Sequence, residues 1–221
     1  MSALPIDTIL PDISRALAGD RACVVHAPPG SGKTTRIPLA LMDTPWLAGR
    51  KILMLEPRRL AARAAARYMA GLVGEKVGER IGYRTRLDLR ISRQTRLEVV
   101  TEGILTRMLQ HDPEITGYGC VIFDEFHERS LQADLGLALC LEVRSALRPD
   151  LRLAVMSATL DVEPVAKLLA PCPILSCPGQ PHPVDTRYLR LAERFVEERM
   201  AKAIRHALAT EAGSILAFLP G

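Results

Sequence analysis

The sequence predicts an α/β domain, a mainly parallel sheet with helices on both faces, and three observations carry that prediction. Short apolar runs recur at Ala22 to Ala27, Ile52 to Leu55, Leu97 to Thr101, Cys120 to Phe123 and Leu153 to Ser157. Runs that are apolar at consecutive positions belong to strands buried on both faces, as in a parallel sheet covered by its crossover helices. Helix-length stretches separate them, at Lys33 to Met42, Leu60 to Leu72, Gly103 to Leu109, Leu131 to Leu147 and Val162 to Leu169. A glycine-rich turn, Ala27-Pro28-Pro29-Gly30-Ser31-Gly32-Lys33-Thr34, joins the first run to the first helical stretch. Strand, tight turn and helix in that order is the setting of a phosphate-binding loop.

Taken in order, the elements carry two irregularities. Pro38 lies inside the first helical stretch, where proline removes a backbone hydrogen bond and crowds the preceding turn, so a kink or a short helix is expected. From Cys172 to Pro183 the chain carries Pro173, Pro178, Pro181 and Pro183, with Pro171 just before and Gly179 within. That composition makes a poor helix and reads as a linker. Beyond it come a strand candidate at Val184 to Leu189, a helix candidate at Ala192 to Ala209 and a strand candidate at Ser214 to Leu219. A strand, helix and strand of roughly 40 residues cannot close a core alone, so a further domain beginning here is expected, and the chain reads as a piece of a longer protein.

Composition bounds the class. Of 221 residues, 48% are hydrophobic and 24% charged, the balance of a folded globular chain. No apolar run approaches the roughly 18 residues that span a bilayer, and the N-terminus lacks the basic-then-apolar order of a secretion signal, so a soluble cytoplasmic protein without a membrane partner is expected. The five cysteines (Cys23, Cys120, Cys140, Cys172, Cys177) form no CxxC pair and have no neighbouring histidine. They read as reduced thiols, Cys23 and Cys120 as small hydrophobes within strands. Net charge is only +4, but 24 arginines stand against five lysines. Arginine suits bidentate phosphate contacts, yet a GC-rich genome explains the ratio equally well, so position must decide.

The turn at residues 27 to 34 has chemistry of its own. Pro28 and Pro29 offer no N–H, so the amides of Gly30, Ser31, Gly32, Lys33 and Thr34 must form the cradle, with Pro29 and Thr35 flanking it and the positive end of the helix behind. Lys33 is placed for the β- and γ-phosphates, and Thr34 supplies a hydroxyl oxygen for Mg²⁺. A second segment, Val121-Ile122-Phe123-Asp124-Glu125-Phe126-His127, is an apolar strand delivering two carboxylates at its C-terminal end, the edge where open α/β sheets bind ligands. Asp124 suits a hydrated Mg²⁺, and Glu125 suits positioning of the attacking water; both count as metal-site candidates. Alone, such a pair is ordinarily a solvated strand end. Beside a Gly-Lys-Thr loop it reads as catalytic.

The order Asp-Glu-x-His at 124 to 127, followed by Glu128-Arg129, resembles the DEAH-box helicases of superfamily 2, with Phe126 in place of the usual alanine. Glu56-Pro57-Arg58-Arg59-Leu60-Ala61-Ala62, Thr101-Glu102-Gly103-Ile104-Leu105, Ser157-Ala158-Thr159-Leu160 and Leu216-Ala217-Phe218-Leu219-Pro220-Gly221 resemble further segments of that family in order and spacing. The resemblance implies a first RecA-like domain over residues 1–178, then a linker and the start of a second RecA-like domain over 179–221. By the same resemblance, Arg58, Arg59 and Thr101 face the backbone of single-stranded nucleic acid. Arg84, first of a cluster with Arg86, Arg90, Arg93 and Arg96, extends that track or is merely solvated. Ser157 and Thr159 couple nucleotide state to strand movement, and His127 shares that role or is an ordinary polar residue near a turn. Either Arg63 or Arg67 stacks on adenine.

The implied activity is ATP hydrolysis, with ATP and Mg²⁺ as cofactors, coupled to movement along RNA more readily than DNA. The resemblance also implies a second RecA-like domain in cis, whose Gln-x-x-Gly-Arg-x-Gly-Arg element, source of an arginine finger, is absent from these residues. Two rivals are a nucleotide-binding scaffold without turnover and a P-loop ATPase without a nucleic-acid substrate. Nothing in the sequence specifies an oligomeric state.

Overall fold

The computed structural model describes residues 3–159, 162–169, 172–179, 184–190 and 192–220. Contacts divide the chain into two compact units, Met1–Gln180 and Pro181–Gly221.

The first unit is an α/β domain. A 3-10 turn at Pro5–Ile9 leads into α1 (Leu10–Gly19), then β1 (Ala22–His26), α2 (Lys33–Leu41), β2 (Lys51–Glu56) and α3 (Arg59–Leu72). There follow β3 (Ile81–Arg84), β4 (Leu89–Arg90), β5 (Leu97–Thr101), α4 (Glu102–His111), β6 (Tyr118–Phe123), α5 (Leu131–Ala146), β7 (Arg152–Ser157), α6 (Glu163–Leu169) and β8 (Ile174–Ser176). Among the described residues the sheet has eight strands in the order β4-β3-β5-β2-β6-β7-β1-β8. Every pairing is parallel except β3 with β4.

Alternate residues of each strand feed opposite cores, the consequence of a side-chain period of two. Cys23, Val25, Ile52, Met54, Cys120, Ile122, Ala154 and Met156 pack with α1, α2 and α3 through Leu17, Ile37 and Met69. Val24, Leu53, Leu55, Val121, Phe123, Leu153 and Val155 pack with α4, α5 and α6 through Leu105, Leu137 and Leu169. Burial on both faces explains why the five runs are apolar at nearly every position, Glu98 and His26 being the charged or polar interruptions. At about 1.5–3 kcal/mol for each fully buried large side chain, these two layers supply the main stabilisation.

Pro38 is accommodated by a short helix: α2 ends at Leu41 with Pro38 buried inside it. Several elements depart from the sequence reading. α1 and the turn before it lie in a segment to which no element is assigned from sequence. The β3–β4 hairpin falls within the arginine-rich stretch. The front of the expected linker is an edge strand, β8, in which Ile174 pairs with Val24 and Ser176 with His26. Pro173 and Pro178 flank that strand, positions that need no ladder donor, and the Pro173 carbonyl accepts from Val24 N–H at 3.0 Å. Pro171, Pro181 and Pro183 lie outside the described residues. All five cysteines are free, and burial pushes the Cys120 and Cys140 thiols up to about 12.

In the second unit α7 (Val196–Thr210) forms near the expected helix and has no buried residues. The two strand candidates, Val184 to Leu189 and Ser214 to Leu219, are in no strand. A β-ladder exists only with a partner, and an apolar run without one remains extended chain. Among the described residues no helix is long and apolar enough to cross a membrane.

Candidate nucleotide and nucleic-acid site

The strand order sets β2, β6, β7 and β1 side by side, so the segments leaving their C-terminal ends meet along one edge of the sheet. After β1 the chain turns with Gly30 at φ 76° and Gly32 at φ 94°, both left-handed. Gly32 caps α2, and a Cβ there would lie 2.6 Å from Leu4 Cδ1 and 3.2 Å from Ile6 Cγ2. Ile6 N–H also donates to the Ser31 carbonyl at 3.2 Å. The N-terminal 3-10 turn therefore buttresses the loop, a contact that no local pattern in the sequence announces. Lys33 and Thr34 open the helix, where amides have no carbonyl one turn back to bond. The Ser31 amide, in contrast, donates inward to the Pro28 carbonyl at 3.2 Å, so in this conformation it is not part of the cradle. Ser31 Oγ is buried without a hydrogen-bond partner.

Lys33 is 4% exposed and its Nζ meets Glu125 Oε1 at 2.8 Å. Asp124 follows β6, and its N–H donates to the Leu55 carbonyl at 3.0 Å, which ties it to the end of β2. Asp124 Oδ1 accepts from Glu125 N–H at 2.8 Å, whereas the buried Oδ2 has no hydrogen-bond partner. Burial holds this carboxyl above the usual carboxylate range, against the pull of the Thr34 hydroxyl and Lys33. Glu125 sits at φ 48°, a left-handed conformation disfavoured for a side-chain-bearing residue. The next three residues, Phe126–Glu128, form a 3-10 turn. Phe126 is buried, meets the Phe123 ring edge-on at 6.0 Å and lies under the Arg129 guanidinium at 5.6 Å. The phenylalanine that stands where the resembled family has alanine thus anchors the turn to the core.

His127 bridges two segments. Its Nδ1 accepts from Ala158 N–H at 3.3 Å and lies 3.4 Å from Glu125 Oε2. Ser157 Oγ in turn accepts from Thr159 N–H at 3.2 Å, and the two hydroxyls are 3.3 Å apart. Lys33, Glu125, His127 and the 157–159 turn therefore form one connected chain of contacts. Leu160 lies outside the described residues.

A cleft of about 460 Å³ opens beside the loop, lined by Thr34, Thr35, Glu56, Ala61, Ala64, Ala65, Tyr68 and Glu125. Neither Arg63 nor Arg67 lines it. The Arg63 guanidinium is held by Asp88 at 3.0 Å, 6.0 Å from the Tyr83 ring centroid, while Arg67 is exposed on the same helix. Tyr68, 60% exposed, is the aromatic of the cleft wall. Glu56 is a second residue that motif reasoning missed. It is 3% exposed at the end of β2, and burial, with Asp124 beside it, pushes its carboxyl up to about 9. A lone glutamate before Pro-Arg-Arg carries no signal of this in the sequence.

The residues expected on nucleic acid sit at neighbouring strand ends. Glu56 pairs with Thr101 across β2 and β5, and Arg84 with Val100 across β3 and β5. Arg58 is 72% exposed and bonds both oxygens of Glu128 at 3.2 and 3.1 Å. Exposed pairs of this kind contribute only about 0–1 kcal/mol, so an incoming phosphate can displace Glu128. Arg59 is exposed, and Thr101 caps α4 without committing its hydroxyl to that helix. Arg84 differs: its Nε donates to Glu98 Oε1 at 2.7 Å, and Glu98, fully buried, also accepts from Tyr118 OH at 2.7 Å. A buried carboxylate needs such a cation, so Arg84 has a structural partner already.

The family model for DEAD/DEAH box helicases matches residues 9–168. The chain belongs to the DEAD/DEAH box helicases. It is 50% identical over 222 residues to the ATP-dependent RNA helicase HrpB of Escherichia coli (strain K12), covering 100% of this chain and 27% of that protein. A crystal structure of the Escherichia coli DEAH/RHA helicase HrpB aligns with a TM-score of 0.92 at 49% identity, over 99% of this chain and 28% of that one. Identity to the pre-mRNA-splicing factor ATP-dependent RNA helicase prp22 of Schizosaccharomyces pombe is 34% over 220 residues, 99% of this chain and 19% of that protein. The chain thus spans about a quarter or less of these relatives' length. The expected RecA-like α/β fold agrees with the structural match, and the family's acidic motif reads Asp-Glu-Phe-His in this member.

Proposed function

We propose that this chain is the nucleotide-binding part of a cytoplasmic ATP-dependent RNA helicase, with residues 179–221 forming a linker and the start of a second RecA-like domain. The observation that carries the reading is the meeting of Lys33, Asp124 and Glu125 on the sheet edge that also presents Arg58 and Thr101. One edge then holds both a phosphate cradle and a phosphodiester grip, and His127 with the 157–159 turn links the nucleotide side to the rest of the domain.

The residues present fit Mg-ATP. Gly32 leaves room that a side chain would fill, and two buried oxygens, Ser31 Oγ and Asp124 Oδ2, await partners. Among the described residues no three His, Cys, Asp or Glu side chains converge to hold a metal ion unaided. That suits Mg²⁺, which keeps several waters and takes phosphate oxygens alongside one or two protein ligands, here the Thr34 hydroxyl and, through water, Asp124. When bound, the ion neutralises charge on the β- and γ-phosphates. Lys33 exchanges its Glu125 partner for phosphate, which frees Glu125 to orient the attacking water and accept its proton. Tyr68 offers the adenine a stacking face on the cleft wall, in place of the expected arginine.

Arg58, Arg59 and Thr101 grip phosphates without reading bases, so binding is independent of sequence. ATPase measurements on the full-length protein with and without single-stranded RNA test the whole reading. RNA stimulation supports it; turnover indifferent to RNA indicates an ATPase with another substrate, and no turnover a nucleotide-binding scaffold. Lys33→Ala is expected to weaken nucleotide binding roughly 10- to 100-fold, the scale of a charge-assisted phosphate contact, as measured by nucleotide titration. Arg58→Ala should weaken single-strand binding and reduce the slope of log affinity against log salt by about 0.7, the contribution of one phosphate contact. An unchanged slope removes Arg58 from the interface.

A further inference from the structure

Three acidic side chains and one lysine gather around the phosphate loop. Glu56, Asp124 and Glu125 stand at the ends of adjacent strands β2 and β6. Glu56 and Asp124 are each 3% exposed, and Lys33, the cation at this point, is already paired with Glu125 at 2.8 Å. Glu56 lines the cleft together with Thr34, Thr35 and Glu125, so it shares that cleft with the residue whose hydroxyl is assigned to the metal. Buried carboxyls next to one another are costly unless a cation or hydrogen-bond donors meet them. Nothing in the ATP-binding reading so far uses Glu56, yet Asp124 Oδ2, buried and unpartnered, belongs to the same cluster.

We infer that Glu56 is a positioning residue of the magnesium shell, accepting hydrogen bonds from the ion's waters across from Asp124 and so selecting the hydrated divalent cation that accompanies the nucleotide. The inference rests on the Mg-nucleotide reading of this cleft. A hydrated Mg²⁺ suits the cluster: its two positive charges meet neighbouring acidic groups, and its polarised waters are donors for carboxyl oxygens that line the cleft. Glu56 acts on the waters and not on the ion itself, consistent with the absence of a three-ligand metal cage among the described residues. Outer-shell partners of this kind set metal affinity by about 10- to 100-fold.

The test is the Mg²⁺ dependence of ADP binding to the 221-residue chain, followed by fluorescence or calorimetric titration, first with EDTA and then across a Mg²⁺ series. Wild type is expected to bind ADP in EDTA and to tighten as Mg²⁺ is added. Glu56→Gln should keep the EDTA affinity while its Mg²⁺ midpoint moves upward about 10-fold or more. Glu56→Asp, which keeps the charge but withdraws it by one methylene, should fall between the two and carries the test if the glutamine variant does not fold. A merely structural role would lower the melting temperature without moving the midpoint. Equal Mg²⁺ midpoints in wild type and in the folded variants would overturn the inference while leaving the nucleotide site standing. Failure of wild type to bind ADP under any condition would overturn both.

Discussion

Glu125→Gln is expected to stop ATP turnover in the full-length protein, lowering kcat by about 10²- to 10⁴-fold, the range for loss of a positioned general base. Nucleotide affinity should stay the same or tighten. The asymmetry follows from the 2.8 Å pair between Lys33 and Glu125. In the nucleotide-free protein the carboxylate competes with phosphate for the ammonium, and a neutral amide competes less. Glutamine also keeps the size of the side chain, so the left-handed backbone at residue 125 and the buried Phe126 anchor are undisturbed. Single-turnover rates with and without the substitution, beside equilibrium binding of ATP, measure both halves. Loss of binding equal to that of Lys33→Ala would contradict the division of roles, in which Lys33 holds phosphate and Glu125 works on water.

The 221-residue chain alone is expected to hydrolyse ATP about 10³ to 10⁵ times more slowly than a protein that also contains the complete second RecA-like domain, because an arginine finger contributes on that scale in phosphoryl transfer. On the proposed reading, residues 1–221 would hold the triphosphate and orient a water. The resemblance implies that the cation meeting the charge which develops on the transferred phosphoryl group comes from a second RecA-like domain. Steady-state ATPase rates for the two proteins, each saturated with single-stranded RNA, make the comparison. Brisk RNA-stimulated turnover by the 221-residue chain would refute it and would place the completing charge among residues 1–221.

What was legible in the sequence shares one property: it is encoded over a few consecutive residues. Ala22 to Ala27 reads as a strand because all of its side chains but that of His26 are buried, and Gly30 and Gly32 read as a turn because their backbone is left-handed. Lys33 and Thr34 could be placed because a strand and a helix fix the loop between them. The Asp124-Glu125 pair was visible because an apolar strand aims it. The elements missed were those with weak local patterns. β8 is three residues between prolines, β4 is two, and both exist only because a neighbouring strand is there to pair with. Conversely, Val184 to Leu189 and Ser214 to Leu219 have strand-like composition without a ladder partner, and no strand forms.

Sequence alone therefore determined the α/β class, the phosphate loop and the acidic motif, since apolar periodicity and turn chemistry act between near neighbours. Tertiary structure alone decided which side chains face one another. It turned Arg84 inward onto Glu98, gave Arg63 to Asp88, set Tyr68 on the cleft wall and brought Glu56 beside Asp124. Those choices depend on strands whose order in the sheet differs from their order in the chain, so the groups that meet are far apart in sequence. The phosphate loop keeps the strand-turn-helix setting that the sequence describes, with the Ser31 amide turned inward to Pro28; the acidic cluster beside it, and hence the assignment of Glu56, becomes visible only when the strand ends are set side by side.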